Sequence, residues 1–192
     1  MKAADIACVV LASGLSERFG ATDKLAAKLC GRSVLDHVLD TVTSVGFGKI
    51  FVVSQGLSQT GFTSVINGNP ENGQGHALRL GLAAARAEGW DSICVVLGDM
   101  PLVKRSHIQT LMEELGEGDS AVSVFENQKM PPAIFRGSAI ISILAESSAS
   151  GARTIFHHLK PETVPITAEQ ALDVDTPADL ARVACIMKAR TR

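Results

Sequence analysis

Three unbroken apolar runs, "IACVVLA" at residues 6–12, "IFVVS" at 50–54 and "SICVVLG" at 92–98, constrain this chain more than any other feature. They are rich in β-branched residues and lack the polar alternation of a strand with one wet face, so each reads as a strand covered on both sides. Strands of that kind pair in parallel, and the crossovers between them lay helices on both faces of the sheet. The intervening residues carry the matching pattern. Val34, Leu35, Val38, Leu39 and Val42 recur at helical spacing after Ser33, which suits an N-cap. Further helices are expected from about His76 to Ala87, from about Lys104 to Leu115, and after Thr176. Shorter apolar stretches at 121–125, 133–135 and 164–166 add later strands, while the polar, proline-ended stretch from Glu126 to Pro132 reads as a surface loop. The fold class is therefore α/β, a three-layer α/β/α sandwich with a mainly parallel sheet, and ligands are expected at the carboxyl ends of its strands.

With 192 residues, 46% hydrophobic and 20% charged, the chain suits a single domain over 1–192 with one well-filled core. A net charge of −2 with no long run of like charge argues against a nucleic-acid partner, so any anion site must be local. Cys8, Cys30, Cys94 and Cys185 form no CxxC pair and read as reduced thiols of a cytoplasmic protein. The run at 6–12 is too short for a signal core and is preceded by Asp5; no apolar segment reaches the roughly 20 residues a membrane helix needs.

Where these strands end, the sequence becomes chemical. After the first strand comes "LASGLSERFG", then Lys24. Gly14 and Gly20 allow backbone to approach a ligand, Arg18 offers a planar fork and Lys24 a mobile point charge, a combination suited to a polyphosphate; a basic surface turn is the other reading. The spacing is neither a Walker A loop nor GxGxxG. After the third strand, "GDMP" sets Asp99 where a carboxylate can hold Mg²⁺, or serve as a turn residue. In "LDVDTPADL", Asp173 and Asp175 share a face if extended, and Thr176, Pro177 and Asp179 match a helix start. "NGQGHALRLGL" places Gly73, Gln74 and Gly75 before a helix whose N-terminus favours anions, but Leu78 spoils a dinucleotide fingerprint, and Arg79 is expected to face solvent. His157 and His158 have no metal-ligand spacing and Ser13 no GxSxG context, so zinc and serine-hydrolase chemistry lack support.

Taken in order, "LASGLSERFG" with Lys24, "GQGHALRLGL", "GDMP", "PPAIF", "SGAR" and "DVDTPADL" resemble the MobA-like nucleotidyltransferases, nearest to their molybdenum cofactor cytidylyltransferase branch, over about residues 6 to 181. The resemblance implies a Rossmann-like nucleotide-diphospho-sugar transferase fold that binds a nucleoside triphosphate and Mg²⁺. It assigns base and ribose to Leu11, Ala12, Ser13 and Gly14, with Gly73, Gln74 and Gly75 completing the nucleotide site. It assigns the triphosphate to Arg18 and Lys24, and magnesium to Asp99 with Asp175, Asp173 being the alternate. Arg18, Lys24 and Asp99 would carry catalysis. A side chain at position 13 looks like the pyrimidine branch and favours CTP, with molybdopterin as acceptor and a molybdoenzyme or chaperone as further partner. Ala77 and Ala149 depart from the branch pattern, which leaves open a sugar-phosphate acceptor or a non-catalytic nucleotide- or pterin-binding module.

Overall fold

The computed structural model describes residues 1–20, 22–56, 60–146 and 159–190. The first apolar run becomes β1 (Ala7–Ala12), buried at every position. A small antiparallel ribbon follows, β2 (Lys28–Leu29) and β3 (Arg32–Ser33), and leads into α1 (Val34–Val45). Ser33 caps that helix in a reciprocal box: Asp36 N–H donates to Ser33 Oγ at 3.0 Å and Ser33 N–H donates to Asp36 Oδ2 at 3.1 Å. Then come β4 (Lys49–Ser54), β5 (Thr63–Ile66), α2 (Gly73–Ala87), β6 (Ser92–Leu97) and α3 (Arg105–Glu114). The chain continues through β7 (Ser120–Phe125), β8 (Gln128–Arg136), α4 (Gly137–Ala145), β9 (Glu162–Pro165) and α5 (Pro177–Arg190).

The seven-stranded sheet runs β5-β4-β1-β6-β8-β7-β9. All pairs are parallel except those made by β8, which lies antiparallel to both β6 and β7. Alternation along β1 splits the core: Cys8 and Val10 pack toward α1 and α3, while Val9 and Leu11 pack toward α2 and α4. Three layers result, as expected. The order turns back at β1, with β4 on one side and β6 on the other, which opens the sheet's crevice at the carboxyl ends of β1 and β6. Gly98 lets those ends close up: its N–H donates to Leu11 O at 2.8 Å, and a Cβ there would sit 3.1 Å from that same oxygen.

Two boundaries differ from the sequence reading. Glu126 to Pro132 is not a loop: only Glu126 and Asn127, both at positive φ, make the turn, and Gln128 to Met130 pair with Phe125, Val124 and Ser123. Pro131 and Pro132 are tolerated because the register shifts between Val122 and Ser123. Helix α2 begins at Gly73, three residues before His76, so Gly73, Gln74 and Gly75 form its first turn rather than preceding it. The segment "SSASGAR" with Ala149, and His157 and His158, lie outside the described residues.

Helix α2 can lie close to the sheet because Gly81 has no side chain. A Cβ there would stand 2.3 Å from Val9 Cγ1 and 2.9 Å from Val53 Cγ2, both on fully buried residues with nowhere to withdraw. Gly81→Ala gains about 1 kcal/mol of helix propensity and meets an overpacking cost of about 1–3 kcal/mol. The overpacking should win, lowering the urea midpoint; a raised midpoint would show that the helix can lift at no cost.

Candidate active site

The polar residues singled out in the sequence converge on the β1/β6 crevice, a cavity of about 520 Å³. Leu11 to Gly14 form one wall, Arg18 and Lys24 arch over it, Gly73 and Gln74 approach from the first turn of α2, and Asp99, Asp173 and Asp175 close the opposite side. Gly75 does not reach the cavity; it is buried beneath the helix turn, and Ala77 lines the cavity instead. Arg79 is half-buried rather than solvent-facing, and it too stays off the wall.

The loop after β1 has internal order. Ser16 Oγ donates to Asp23 Oδ1 at 3.1 Å, Lys24 N–H donates to Ser16 Oγ at 3.3 Å and Leu25 N–H donates to Asp23 Oδ1 at 3.0 Å. Phe19 and Leu25, both buried, pin it at two points to separate parts of the core. Lys24 is thereby aimed inward. Its Nζ donates to Asp99 Oδ2 at 2.6 Å and to Asp175 Oδ1 at 2.7 Å, and Arg18 pairs with the other oxygen of Asp175. Burial alone would depress the Lys24 pKa, but the Asp99 and Asp175 carboxylates outweigh it and raise the pKa above its ordinary value.

The two acidic segments meet through backbone. Val174 N–H donates to Asp99 O at 2.9 Å, and Val174 is fully buried. With Val174 turned inward, Asp173 and Asp175 on either side face the cavity, as alternation requires. Although Asp173 is exposed at the rim, the cleft strips part of its water, and the Asp175 and Asp99 charges add to that, so its pKa is raised. Thr176 starts α5 with a reciprocal box on Asp179: Thr176 N–H donates to Asp179 Oδ2 at 2.8 Å and Asp179 N–H donates to Thr176 Oγ1 at 3.2 Å.

Asp99 Oδ1 is buried and has no hydrogen-bond partner among the described residues. A carboxylate oxygen left so in a polar cleft asks for a cation, and the shared Lys24 contact shows that Asp99 and Asp175 lie within the span of one. Among the described residues no three His, Cys, Asp or Glu side chains gather into a metal cage. Magnesium needs none, since it takes one or two carboxylates and leaves its other positions to water and phosphate oxygens. The donor set fits that ion.

The sequence reading missed part of this neighbourhood. A second cavity, of about 300 Å³, adjoins the first across Gln74, Leu97 and Asp173 and is otherwise walled by Phe125, Glu126, Gln128, Lys129, Met130, Pro131 and Ala171. Most of its wall comes from the β7–β8 hairpin, whose second strand begins in the stretch that the sequence alone reads as a loop. Behind Ser13 stand Asn67 and Gln55, polar residues outside any motif that nevertheless hydrogen-bond to the β1 loop.

A family model described as the MobA-like NTP transferase domain matches residues 8–164. The chain belongs to that family. This MobA-like NTP transferase is 28% identical over 192 residues to a probable molybdenum cofactor guanylyltransferase of Aquifex aeolicus, covering 93% of this chain and 90% of that one. It is 29% identical over 126 residues to the bifunctional protein GlmU of Bordetella petrii, covering 60% of this chain but spanning only 27% of that longer relative. Among solved structures, the complex of Mycobacterium tuberculosis Rv0371c with manganese shares the fold, with a TM-score of 0.72 at 20% identity over 93% of this chain and 97% of the other. No described helix is long and apolar enough to cross a membrane.

The Lys24 ion pairs give a pH dependence with a defined sign. A lysine whose folded pKa is raised contributes its stabilisation fully below the unfolded value, near 10.5, and loses it as pH rises through the folded value. Lys24→Met should therefore be less stable than wild type in urea at pH 7 to 9, with the gap narrowing as pH climbs past that window. A gap independent of pH would mean that lysine packing, not charge, is what stabilises.

Proposed function

We propose that this MobA-like NTP transferase moves a nucleoside monophosphate from a nucleoside triphosphate onto a phosphate of a small acceptor, with magnesium held by Asp99 and Asp175 and Asp173 as the alternate ligand. One observation carries the proposal: Lys24 Nζ lies against both Asp99 and Asp175 at the mouth of a nucleotide-sized cavity. A cationic loop and a paired acidic floor are the two halves that a metal-bound triphosphate needs.

In this reading an acceptor phosphate oxygen forms a bond to the α-phosphorus, the bond from that phosphorus to the bridging oxygen breaks, and pyrophosphate leaves with the electron pair. A phosphate monoester has its second pKa at about 6, so the attacking oxygen is already largely deprotonated and no strong general base is required. The described cavity walls contain none beyond the carboxylates. Magnesium, when bound, supplies positive charge to the triphosphate oxygens. Lys24 and Arg18 hold positive charge beside the departing pyrophosphate, and the backbone of Leu11 to Gly14 with Gly73 and Gln74 positions the nucleoside. Positioning and charge neutralisation dominate such transfers. The acceptor enters from the adjoining cavity, whose wall carries Lys129 alongside Glu126, while Phe125, Met130 and Pro131 offer apolar surface to its body.

CTP is the favoured donor, because Ser13 places a side chain beside the base, and molybdopterin the favoured acceptor. The Aquifex aeolicus relative, a probable guanylyltransferase, supports GTP as the second reading. Pyrophosphate release from each triphosphate with molybdopterin and with sugar 1-phosphates, followed by product mass spectrometry, separates these options. Asp99→Asn should lower release by at least about 100-fold while leaving the thermal midpoint close to wild type. Near-normal release by that variant would remove Asp99 from the metal site.

A further inference from the structure

Ser13 is only 5% exposed and lines the cavity, and behind it Asn67, 2% exposed, closes off the end of β5. Asn67 Nδ2 lies 3.0 Å from Ser13 Oγ, and Asn67 Oδ1 lies 3.1 Å from the backbone nitrogen of Asn69. A backbone N–H can only donate, so the second contact decides which end of the carboxamide is oxygen. The nitrogen must then face Ser13, and it too can only donate. Asn67 is itself anchored, its own N–H donating to Ser54 O at 2.7 Å.

The consequence falls on the serine. Its Oγ accepts from Asn67, so its proton is left to point elsewhere, and no acceptor among the described residues takes it. Two of the loop's carbonyls already accept a hydrogen bond: Gln55 Nε2 donates to Ser13 O at 3.3 Å and to Gly14 O at 3.2 Å. Two amides, from the ends of β4 and β5, thus donate into this wall, and the hydroxyl of Ser13, a residue that lines the cavity, is left to act as a donor.

We propose that Asn67 is a positioning residue that holds the Ser13 hydroxyl as a hydrogen-bond donor to an acceptor atom on the nucleotide base, a ring carbonyl oxygen or ring nitrogen. This rests on the reading of the cavity as a nucleoside triphosphate site and adds the polarity with which that site meets the base. For cytosine the acceptor is O2 or N3.

The test uses the full chain with magnesium, measuring binding of CTP, GTP and inorganic tripolyphosphate by calorimetry. Asn67→Asp puts a carboxylate where the amide was; one oxygen keeps the Asn69 N–H, and the other takes the serine proton, reversing the hydroxyl. A lost neutral hydrogen bond is worth about a 2- to 10-fold change in affinity. Asn67→Asp should weaken the tighter of CTP and GTP by about tenfold and do so more than it weakens tripolyphosphate. Asn67→Leu, similar in size and uncharged, leaves the hydroxyl unoriented and should cost less, by the same route; it carries the test if the buried carboxylate prevents folding. In a Ser13→Ala background neither Asn67 substitution should weaken nucleotide further. Equal losses with and without the serine hydroxyl, or losses equal for nucleotide and tripolyphosphate, would overturn the proposal while leaving the nucleotide site standing. A wild-type protein that binds tripolyphosphate but neither CTP nor GTP would take down the nucleotide reading and this proposal together.

Discussion

One ammonium group, Lys24 Nζ, joins three stretches of chain that are far apart in sequence. It touches Asp99, 75 residues away, and Asp175, 151 residues away. Two carboxylates brought together in a partly desolvated cleft repel each other and lose hydration, so the arrangement is tenable only with a cation between them. The β1 loop supplies that cation because Phe19 and Leu25 tie it into the core and Ser16 and Asp23 order the residues between. The charge balance of the site and the conformation of the loop are therefore one constraint. Within it, whatever cation approaches Asp99 and Asp175 meets carboxylates already assembled, and whatever anion approaches the loop meets Lys24 turned inward and an exposed Arg18 resting on Asp175. Since Lys24 and Arg18 rest on these carboxylates, a cation that took them would shift only those two side chains, toward the anion, and leave the scaffold in place.

Much of this was legible before any coordinates. Runs of β-branched residues at 6–12, 50–54 and 92–98 announce doubly covered strands, because short, β-branched apolar runs without polar alternation suit a strand packed on both faces, and all but Ile50 and Leu97 among them are buried. Ser33 with Asp36, and Thr176 with Asp179, mark helix starts through hydrogen bonds that are local in sequence, so spacing alone identifies them. The acidic pair Asp173 and Asp175 was readable by alternation once Val174 was seen to be apolar. What spacing does not encode is pairing between segments. The stretch from Glu126 to Pro132 has the composition of a loop, yet Gln128 to Met130 are strand because β7 offers them a ladder. The edge strand Thr63–Ile66 leaves Ile66 67% exposed and carries no strong pattern for the same reason: β4 recruits it. Asn67 and Gln55 belong to no motif, since their importance lies in which loop the fold places beside them.

The two kinds of feature divide the work of the site. The local signals, the loop after β1 and the acidic turns after β6 and before α5, make the half that handles charge, and that half asks little of the ligand beyond phosphates. The non-local features make the other half: Asn67 and Gln55 behind the Leu11–Gly14 wall, and the β7–β8 hairpin around the second cavity. Relatives of this chain bear names as different as molybdenum cofactor guanylyltransferase and GlmU, and a shared fold does not fix a shared substrate. Groups that meet only phosphates cannot tell one nucleotide from another. Discrimination has to come from groups that contact the base and the acceptor body, and a buried amide whose polarity is dictated by a backbone N–H is well suited to that task. A site built to hydrogen-bond a ligand atom rejects analogues lacking it far more strongly than an apolar wall rejects a change of size, because the unpaired group stays buried. In the proposed reading, the residues least visible in the sequence are thus the ones on which the identity of the substrate turns.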